Sequence, residues 1–408
     1  MSVDIHPSIA DVLVIGAGPA GSASAVLLAR MGYAVVMIDR AAFPRDKACS
    51  EYLSPEAVRV LDRLGVVPAL ERAGARALAG TMVVGPRGAR LHGIFAEAIP
   101  APIRPTGFSL ARWVLDGVLV DAARAAGVTV LERTTAEELV YDRGAVAGAM
   151  VRGPSGRHTL RARLTIGADG LRSIVARRLG GRRRGPVRRL AFVAHVAAVP
   201  GLDRSAEMHV ERGGYVGLNP LDDEVANVAL VVSATRAARA RGRRDAFFFE
   251  ELERFPGVRG RVARHRLVRS VLATGPFDMR SRRVTADGAL LVGDAADFFD
   301  PFTGEGICSA LRGAELVARH AGGALAEPGP VTAAALSGYR RGRVRAFVGK
   351  WAVERLVGHA MAWPRLFDRA VAGLGRRPGM AHTFIGVTGD FLPARAVLNP
   401  VFLARMVL

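Results

Sequence analysis

Three glycines near the start of the chain have the spacing of a nucleotide-binding turn. Gly16, Gly18 and Gly21 form a Gly-x-Gly-x-x-Gly pattern directly after the apolar run Val12–Ile15. The first glycine permits a tight turn, the second lets the backbone approach a pyrophosphate, and the third lets helix and strand pack closely. Asp39 ends the next apolar run, 18 residues beyond Gly21, and can accept hydrogen bonds from a ribose. The pattern predicts a dinucleotide site without separating NAD from FAD.

A second glycine-bearing turn lies in the middle of the chain. The apolar run Leu164–Ile166 leads into Gly167-Ala168-Asp169-Gly170, and Ser173 precedes a helix-like segment. One interpretation is a simple strand-to-helix turn with a serine N-cap. The other is a second part of the ligand site.

The third candidate is an acidic loop in a basic protein. Residues 293–307 read GDAADFFDPFTGEGI and contain four acids but no lysine or arginine, although the chain carries a net charge of +20. The loop follows the apolar run Ala289–Val292 and leads into a helix predicted from about Gly306. Ligands bind at the carboxyl ends of strands in doubly wound sheets. Asp294, where the strand ends, is therefore predicted to face a ligand.

Taken together, these stretches resemble a known family. In order and separation they are similar to the three fingerprints of the FAD-dependent oxidoreductases built like para-hydroxybenzoate hydroxylase. The Pro-x-Thr-Gly-Glu-Gly-Ile core at residues 301–307 resembles the geranylgeranyl-reductase-like branch. The resemblance covers residues 11 to about 320. It is specific for FAD and much less specific for the reaction.

The resemblance implies which residues contact FAD. The implied contacts are Gly16, Gly18, Ala20, Gly21, Asp39, Arg40, Arg112, Asp169, Gly293, Asp294, Pro301, Gly304, Gly306 and Ile307. Asp294 would bind the ribityl chain, and the backbone amides of residues 304–307 would face the pyrimidine ring. Amides at a helix N-terminus suit the negative charge of a reduced flavin. Glu305 is therefore expected to point away from the ring, toward an arginine.

The pattern of elements indicates an α/β fold. We expect a Rossmann-like FAD-binding domain of the class A flavoprotein type, an inserted, mainly antiparallel β-sheet domain for the substrate, and a C-terminal helical region. The expected bounds are 1–79, 105–185 and 280–325 for the FAD-binding domain, 80–104 and 186–279 for the substrate domain, and 326–408 for the helical region. The helical region is expected to pack on the FAD-binding domain, with a wall of a lipophilic pocket or a membrane-surface contact as the alternatives.

Three residues are candidates for catalysis. Cys49 and Tyr52 lie in a loop that resembles the cysteine-containing loop near the isoalloxazine in the reductase branch, where they would donate a proton or contact substrate. For Cys49 the alternative is a small buried residue. Tyr215 lies in GYVGLNPL, where relatives have an aromatic element. Gly217 and Asn219 replace large residues of that element, which indicates a roomier pocket.

The excess of basic residues allows several partners. Only Lys47 and Lys350 are lysines, so 55 of the 57 basic residues are arginines, and they cluster at 177–189 and 236–245. These runs can be a solvated surface, or they can bind an anionic membrane surface, an acidic carrier protein or a phosphorylated substrate. Nucleic acid is not predicted, because no nucleic-acid module accompanies the charge. No metal-ligand spacing is visible.

The expected location is the cytoplasm, with peripheral membrane contact as the alternative. Two cysteines do not indicate a disulfide framework. We found neither a signal-peptide pattern at the N-terminus nor an apolar run long enough to span a membrane.

The sequence therefore predicts an FAD-dependent oxidoreductase with a lipophilic substrate. That substrate would be an isoprenoid or polyketide, free or tethered to a carrier, and a C=C bond would be reduced by hydride from the flavin. The alternative is an FAD-dependent monooxygenase, a hydroxylase or epoxidase that uses NAD(P)H and O₂. NAD(P)H is the expected electron donor in both cases. A third, non-enzymatic alternative is an FAD-bound membrane-surface or electron-transfer partner.

Overall fold

The apolar runs around the glycine motifs form one sheet at the centre of the FAD-binding region. The computed structural model describes residues 10–407, and its elements are numbered in chain order. The path of this sheet is β19-β20-β11-β1-β2-β8, and the hairpin β9-β10 extends from β11. Its strands are β1 Ala10–Ile15, β2 Val35–Ile38, β8 Thr129–Leu131, β9 Thr135–Asp142, β10 Ala145–Gly153, β11 Gly156–Gly167, β19 Thr285–Ala286 and β20 Ala289–Leu291. Strand β1 pairs in parallel with β11 and β2. The carboxyl ends of all three fingerprint strands therefore meet at one edge.

A second sheet has the mainly antiparallel order predicted for the substrate domain. Its order is β17-β13-β16-β15-β14-β5-β6. Its strands are β5 Gly80–Val84, β6 Arg90–Ile94, β13 Arg189–Ala197, β14 Ser205–Glu211, β15 Gly214–Pro220, β16 Val225–Ser233 and β17 Leu267–Thr274. The pair β14–β5 is parallel, and the other neighbours are antiparallel. The fold class expected from the sequence is confirmed.

Two small sheets connect the large ones. One has the order β3-β7-β4 and the other β12-β18-β21. Their strands are β3 Tyr52–Leu53, β4 Arg76–Leu78, β7 Gly107–Ser109, β12 Arg182–Arg184, β18 Met279–Ser281 and β21 Asp297–Phe298. The first contains Tyr52, and the second contains part of the acidic loop. Both small sheets therefore lie at the predicted ligand site.

The helices follow local signals in the sequence. They are α1 Pro19–Ala29, α2 Pro55–Arg63, α3 Val67–Arg72, α4 Arg112–Ala125, α5 Ile174–Arg178, α6 Ala234–Ala237, α7 Arg244–Leu252, α8 Gly306–Ala326, α9 Ser337–Ala360, α10 Pro364–Gly375, α11 Pro378–Thr388 and α12 Pro400–Val407. Ser54 caps α2 by accepting a hydrogen bond from the Ala57 amide, with Pro55 at the first helical position. Among residues 10–407, no helix is both long and apolar enough to cross a membrane.

The C-terminal helices pack mainly on the second sheet. Helices α10 and α11 contact β6, while α9 contacts α8. Leu374 and Ile385 of these helices share one apolar core with Tyr215 of the second sheet and with Tyr52. The expected packing on the FAD-binding domain therefore holds only for α9. The apolar faces of α10 and α11 match the outer strand of the second sheet instead.

Candidate active site

The glycine turn is built by backbone contacts that leave no room for side chains. Gly16 has φ +103°, and an added Cβ would lie 2.6 Å from the Ala168 carbonyl oxygen. A Cβ on Gly21 would lie 1.8 Å from the Gly16 carbonyl oxygen. The Ala168 amide donates to the Ile15 carbonyl at 2.8 Å. The first and second fingerprints therefore meet through their backbones.

Two guanidinium groups lie beside Gly18 of this turn. A Cβ on Gly18 would lie 3.6 Å from Nη2 of Arg45 and 4.0 Å from Nη2 of Arg112. Asp116 holds both cations, with Nη1 of Arg45 at 3.0 Å and Nη2 of Arg112 at 2.8 Å from its Oδ2. A planar guanidinium group can donate two parallel hydrogen bonds to the oxygens of one phosphoryl group. The two guanidinium groups beside Gly18 therefore suit a pyrophosphate.

Arg112 stays charged although it is buried. Burial opposes its charge, but Asp116 and Cys49 outweigh burial, so its pKa is raised above the ordinary arginine value. Its main-chain amide donates to Oε1 of Glu51 at 2.8 Å. Arg112 thus joins the start of α4 to the loop that contains Cys49.

Asp39 fixes the backbone on the other side of the turn. Its Oδ2 accepts from the Ala17 amide and its Oδ1 from the Ala41 amide, each at 2.9 Å. Each carboxylate oxygen can accept a further hydrogen bond. Arg40, the next residue, is exposed.

Asp169 of the second fingerprint and Lys47, from the loop before β3, lie at the same edge of the sheet. Oδ2 of Asp169 accepts from the Ile174 amide at 2.6 Å. Burial is the main cause that raises the pKa of this carboxyl. Nζ of Lys47 lies 3.7 Å from where a Cβ on Gly170 would be. Burial, followed by Arg112, lowers the pKa of Lys47.

Asp294 lies close to three basic side chains from different segments of the chain. Burial raises the pKa of its carboxyl, and Lys47, Arg112 and Arg182 oppose that rise. Nη2 of Arg182 donates to the Asp294 carbonyl at 2.7 Å, and its other terminal nitrogen donates to Leu171. Arg182 therefore ties the third fingerprint to the second.

The third fingerprint turns sharply before helix α8. Pro301 begins a single 3₁₀ turn, and Gly304 follows in the left-handed region with φ +72°. A Cβ there would lie 2.8 Å from the Tyr52 ring, and one on Gly306 would lie 3.0 Å from the Phe298 ring. The glycines therefore let aromatic rings close on the loop.

The loop also packs back against the glycine turn. A Cβ on Gly293 would come within 2.9 Å of the Ala20 side chain. Ile307 and Ala20 are both buried. The first and third fingerprints are thus in direct contact.

The acids of the loop have separate partners. Asp297 pairs with Arg343, and Asp300 pairs with Arg189 at 2.7 Å. Glu305 accepts from the Ser54 hydroxyl at 3.0 Å. Burial raises the pKa of Glu305 to about 8, and Lys350 opposes the rise.

The expectation of an arginine partner is wrong for Glu305. The carboxyl lies behind the loop, where α2 contributes a serine and α9 contributes the lysine. Asp297 and Asp300 do meet arginines, as the charge of the surrounding chain suggested.

The three predicted catalytic residues occupy different environments. Cys49 is half-buried and packs against the FAD-binding core, next to Arg112. Tyr52 lies against Gly304, and burial followed by Glu305 raises the pKa of its hydroxyl well above the ordinary value. Tyr215 is 2% exposed and donates its hydroxyl to Asp300 at 2.6 Å. Their catalytic roles stay predictions.

A buried polar network holds the loop that contains Cys49 and Tyr52. Glu51, with φ +58°, directs its carboxylate into the second sheet. Oε2 of Glu51 lies 2.6 Å from both Nε2 of His195 and Nδ2 of Asn227. Asn219 donates to the Glu51 carbonyl at 2.9 Å. Strands β13, β15 and β16 thereby fix this loop at the junction of the two large sheets.

Sequence analysis did not identify Arg45, Lys47, Glu51 and Arg182 as site residues. Lys47 could have been found, because it is one of two lysines in a chain rich in arginine. Arg182 was counted with the surface charge of its arginine run. Glu51 carried no signal of its own, since its partners come from distant parts of the chain.

The chain matches a known protein family over most of its length. Residues 9–335 match the family described as "FAD binding domain". The chain belongs to this FAD-binding family. It is an FAD-dependent oxidoreductase, as the three fingerprints predicted.

Curated relatives of this flavoprotein include two kinds of reductase. Menaquinone reductase of Mycolicibacterium smegmatis is 32% identical over 324 residues, covering 76% of this chain and 75% of its own. Digeranylgeranylglycerophospholipid reductase 1 of Methanothermobacter thermautotrophicus is 31% identical over 341 residues, covering 81% of each chain. The resemblance to the geranylgeranyl-reductase-like branch is confirmed.

Solved structures with the same fold include other flavoproteins. A flavoprotein/dehydrogenase from Cytophaga hutchinsonii superposes with a TM-score of 0.83 at 18% identity, covering 94% of this chain and 93% of its own. The myxobacterial chondrochloren halogenase superposes with a TM-score of 0.81 at 24% identity, covering 97% and 92%. These neighbours establish the fold of the flavoprotein and not its reaction.

The geometry of the flavoprotein fits FAD. Gly18 lacks a side chain and lies beside two guanidinium groups, which suits the pyrophosphate. Asp294 and Lys47 lie farther along the same edge, where polar groups of the cofactor need partners. The N-terminus of α8 begins at Gly306, beyond the acid that suits a ribityl chain.

Proposed function

We propose that this flavoprotein reduces a C=C bond of a lipophilic isoprenoid substrate. The observation that carries the proposal is that relatives above 30% identity, aligned over about three quarters or more of both chains, are named as reductases of menaquinone and of a digeranylgeranyl phospholipid. The core shared by Tyr52, the second sheet and the C-terminal helices supports it, because it places apolar side chains beside the third fingerprint.

We further propose that the fingerprint residues hold FAD. Arg45 and Arg112 would bind the pyrophosphate over Gly18, Asp39 the adenosine ribose, and Asp294 the ribityl chain. When bound and reduced, FAD supplies a hydride. The chain would orient that cofactor, exclude water and hold the proton that the reaction needs.

Tyr52 is the residue we propose to hold that proton. Its hydroxyl hydrogen-bonds Thr81, and a phenol carries its proton at neutral pH even at the ordinary tyrosine pKa, which burial raises further here. A general acid must lie within reach of the substrate atom that it protonates. Its ring contact with Gly304 supports this assignment. Cys49, beside Arg112, is the second candidate.

Replacing Asp294 by alanine is expected to weaken FAD binding about 10- to 100-fold, since one charged hydrogen bond is worth roughly 1.5–3 kcal/mol. The change also leaves Lys47, Arg112 and Arg182 without a shared counter-charge. Fluorescence titration of the apoprotein with FAD gives the dissociation constant. Asp297→Asn is the matched control, because Asp297 lies in the same loop but pairs with Arg343. Unchanged affinity in Asp294→Ala would remove Asp294 from the FAD site.

An anaerobic assay separates reduction from oxygenation. The protein is reduced chemically without O₂ and mixed with menaquinone or a geranylgeranyl lipid. We expect the flavin to be reoxidised while the substrate gains two hydrogens at a C=C bond, as mass spectrometry would detect. Product that forms only in the presence of O₂ and contains its oxygen would instead identify a monooxygenase. Monooxygenases share this scaffold, so fold alone does not separate the two reactions.

We propose NAD(P)H as the electron donor and an anionic membrane surface as the source of the substrate. Helices α9 and α10 and the turn between them expose large apolar side chains. They are Val344, Val348, Leu356, Trp363 and Leu366. Apolar residues with arginines between them suit the head-group region of a membrane. An acidic carrier protein is the alternative source.

A further inference from the structure

Three helices enclose a basic groove separate from the candidate active site. Helices α2, α8 and α9 line a space of about 510 Å³. Its charged lining comprises Arg59, Arg63, Arg312, Arg319, Arg341, Arg345, His320, Glu56 and Glu315. We call this space the arginine groove. It lies along α8 beyond Arg312, away from the N-terminus of that helix at the third fingerprint.

The acids of the arginine groove are already paired. Arg59 lies 2.8 Å from Glu56 and 2.9 Å from Glu315, and Arg63 also contacts Glu315, at 2.7 Å. Arg312 pairs with Asp390. These ion pairs form one side of the groove. In them the carboxylates of the groove are neutralised by arginines. A cation ligand is therefore disfavoured.

Three arginines of the groove have no counter-ion among residues 10–407. Arg319 of α8 and Arg341 and Arg345 of α9 are exposed, and the structure shows no hydrogen bond or ion pair for their side chains. Arg341 and Arg345 are four residues apart, so they lie on the same face of α9. Like charges at this spacing repel each other. An anion between α8 and α9 would relieve that repulsion.

Beneath these arginines, the side chain of His320 on α8 packs closely against α9. A Cβ on Gly338 would lie 2.9 Å from Nδ1 of His320, and one on Gly342 would lie 2.9 Å from its Nε2. The two glycines thus let the imidazole lie flat on α9. Burial, followed by Arg319 and Arg341, lowers the pKa of His320. A neutral imidazole offers a hydrogen bond without adding positive charge.

We propose that the arginine groove binds a phosphoryl group carrying at least two negative charges. Three unpaired guanidinium groups from two helices match the several oxygens of such a group, which they can bind in a bidentate way. The volume lies in the range of sites for small organic ligands, so the groove has room for a molecule that carries the phosphoryl group. Its source is either a soluble organic phosphate or the head group of an anionic lipid.

Calorimetric titration with inorganic pyrophosphate tests the proposal on the FAD-loaded full chain. We expect one saturable site per chain whose affinity falls as salt rises. Arg341→Gln/Arg345→Gln is expected to weaken binding by at least roughly tenfold, the scale of one lost charged hydrogen bond. Arg183→Gln/Arg184→Gln is the control, because it removes the same charge from two exposed arginines elsewhere. The affinity of the control variant for pyrophosphate is expected to stay within about twofold of the wild-type affinity.

Equal affinity in the groove variant and wild type would overturn the proposal. Equal weakening by the control would overturn it too, since that would show general attraction to the basic surface. Flavin content and melting temperature establish that both variants are folded. If the double variant does not fold, Arg319→Gln provides the same comparison from α8.

Vesicle binding then identifies the source of the phosphoryl group. Retention on phosphatidate vesicles but not on phosphatidylcholine vesicles, lost in the groove variant and reversed by pyrophosphate, assigns a lipid head group. Pyrophosphate binding without vesicle retention assigns a soluble phosphate. Both measurements use oxidised protein without substrate, so they stand or fall independently of the proposed reduction.

Discussion

Replacing Gly21 by alanine is expected to yield a protein without flavin and with lower stability. The new Cβ would lie 1.8 Å from the Gly16 carbonyl oxygen and 3.2 Å from the Ala168 side chain. The nearest atom belongs to the backbone, so it cannot rotate away. Helix α1 would have to move from strand β1, and overpacking of this kind costs about 1–3 kcal/mol. The same movement would withdraw the N-terminus of α1 from the pyrophosphate.

The flavin-to-protein absorbance ratio and the melting temperature measure both effects. Gly117→Ala is the matched control, since Gly117 lies within helix α4 and an added Cβ there meets no atom within 4 Å. Alanine is favoured over glycine in a helix by about 1 kcal/mol, so the control should keep its flavin and become slightly more stable. A yellow Gly21→Ala variant with the flavin content of wild type would contradict the role of this glycine.

The sequence could predict those features that obey local rules. The glycine turn, the strand before it and the cap of α2 at Ser54 depend on neighbouring residues, whose chemistry is visible in the chain. The order of the three fingerprints also implied that they meet. In the structure, the first and second fingerprints touch where Gly16 approaches the backbone of Ala168.

The polar network around Glu51 could not be predicted in the same way. His195 and Asn227 lie 144 and 176 residues away along the chain. Strand periodicity shows that such residues alternate in a sheet, but it carries no information about which polar group faces which. In the sequence, His195 is a lone histidine on a strand, and only the fold shows Glu51 beside it.

The amino-acid composition pointed to two residues near the site, because the chain contains only two lysines among its 57 basic residues. Lys47 lies close to Asp294, and Lys350 lies 3.3 Å from Glu354 and close to Glu305. An ammonium is a compact charge whose pKa shifts readily on burial, whereas a guanidinium needs space for its planar fork. In a chain with 55 arginines, both lysines lie beside the acids of the third fingerprint.

Burial explains why two carboxylic acids behind the fingerprint loop have raised pKa values, in spite of Lys350. Burial raises the pKa of Glu354 to about 7 and of Glu305 to about 8, and Lys350 opposes both shifts. Asp390, paired with Arg312, adds negative charge on the same side. One ammonium cannot compensate two buried carboxylates. The pKa of Glu305 therefore stays raised, at about 8.

Replacing Glu305 by glutamine is accordingly expected to stabilise the protein in alkaline solution. The pKa of Glu305 is higher in the folded chain than its ordinary value of 4.5, so the folded state binds this proton more tightly than the unfolded state. Its favourable contribution is present at low pH and is lost as pH rises from about 4.5 through about 8. Glutamine keeps the shape and the hydrogen bond with Ser54 but cannot ionise.

Urea unfolding of the FAD-loaded protein at pH 5 and pH 9 measures this difference. Wild type and Glu305→Gln should have similar free energies of unfolding at pH 5, because the acid is then neutral in the fold. At pH 9 the variant should be more stable by on the order of a few kcal/mol, since each unit of pKa shift corresponds to about 1.4 kcal/mol. Glu253→Gln, at a side chain that is 58% exposed, should follow wild type at both values. Parallel behaviour of Glu305→Gln and wild type would show that Glu305 is ionised in the folded protein, and that Lys350 outweighs its burial.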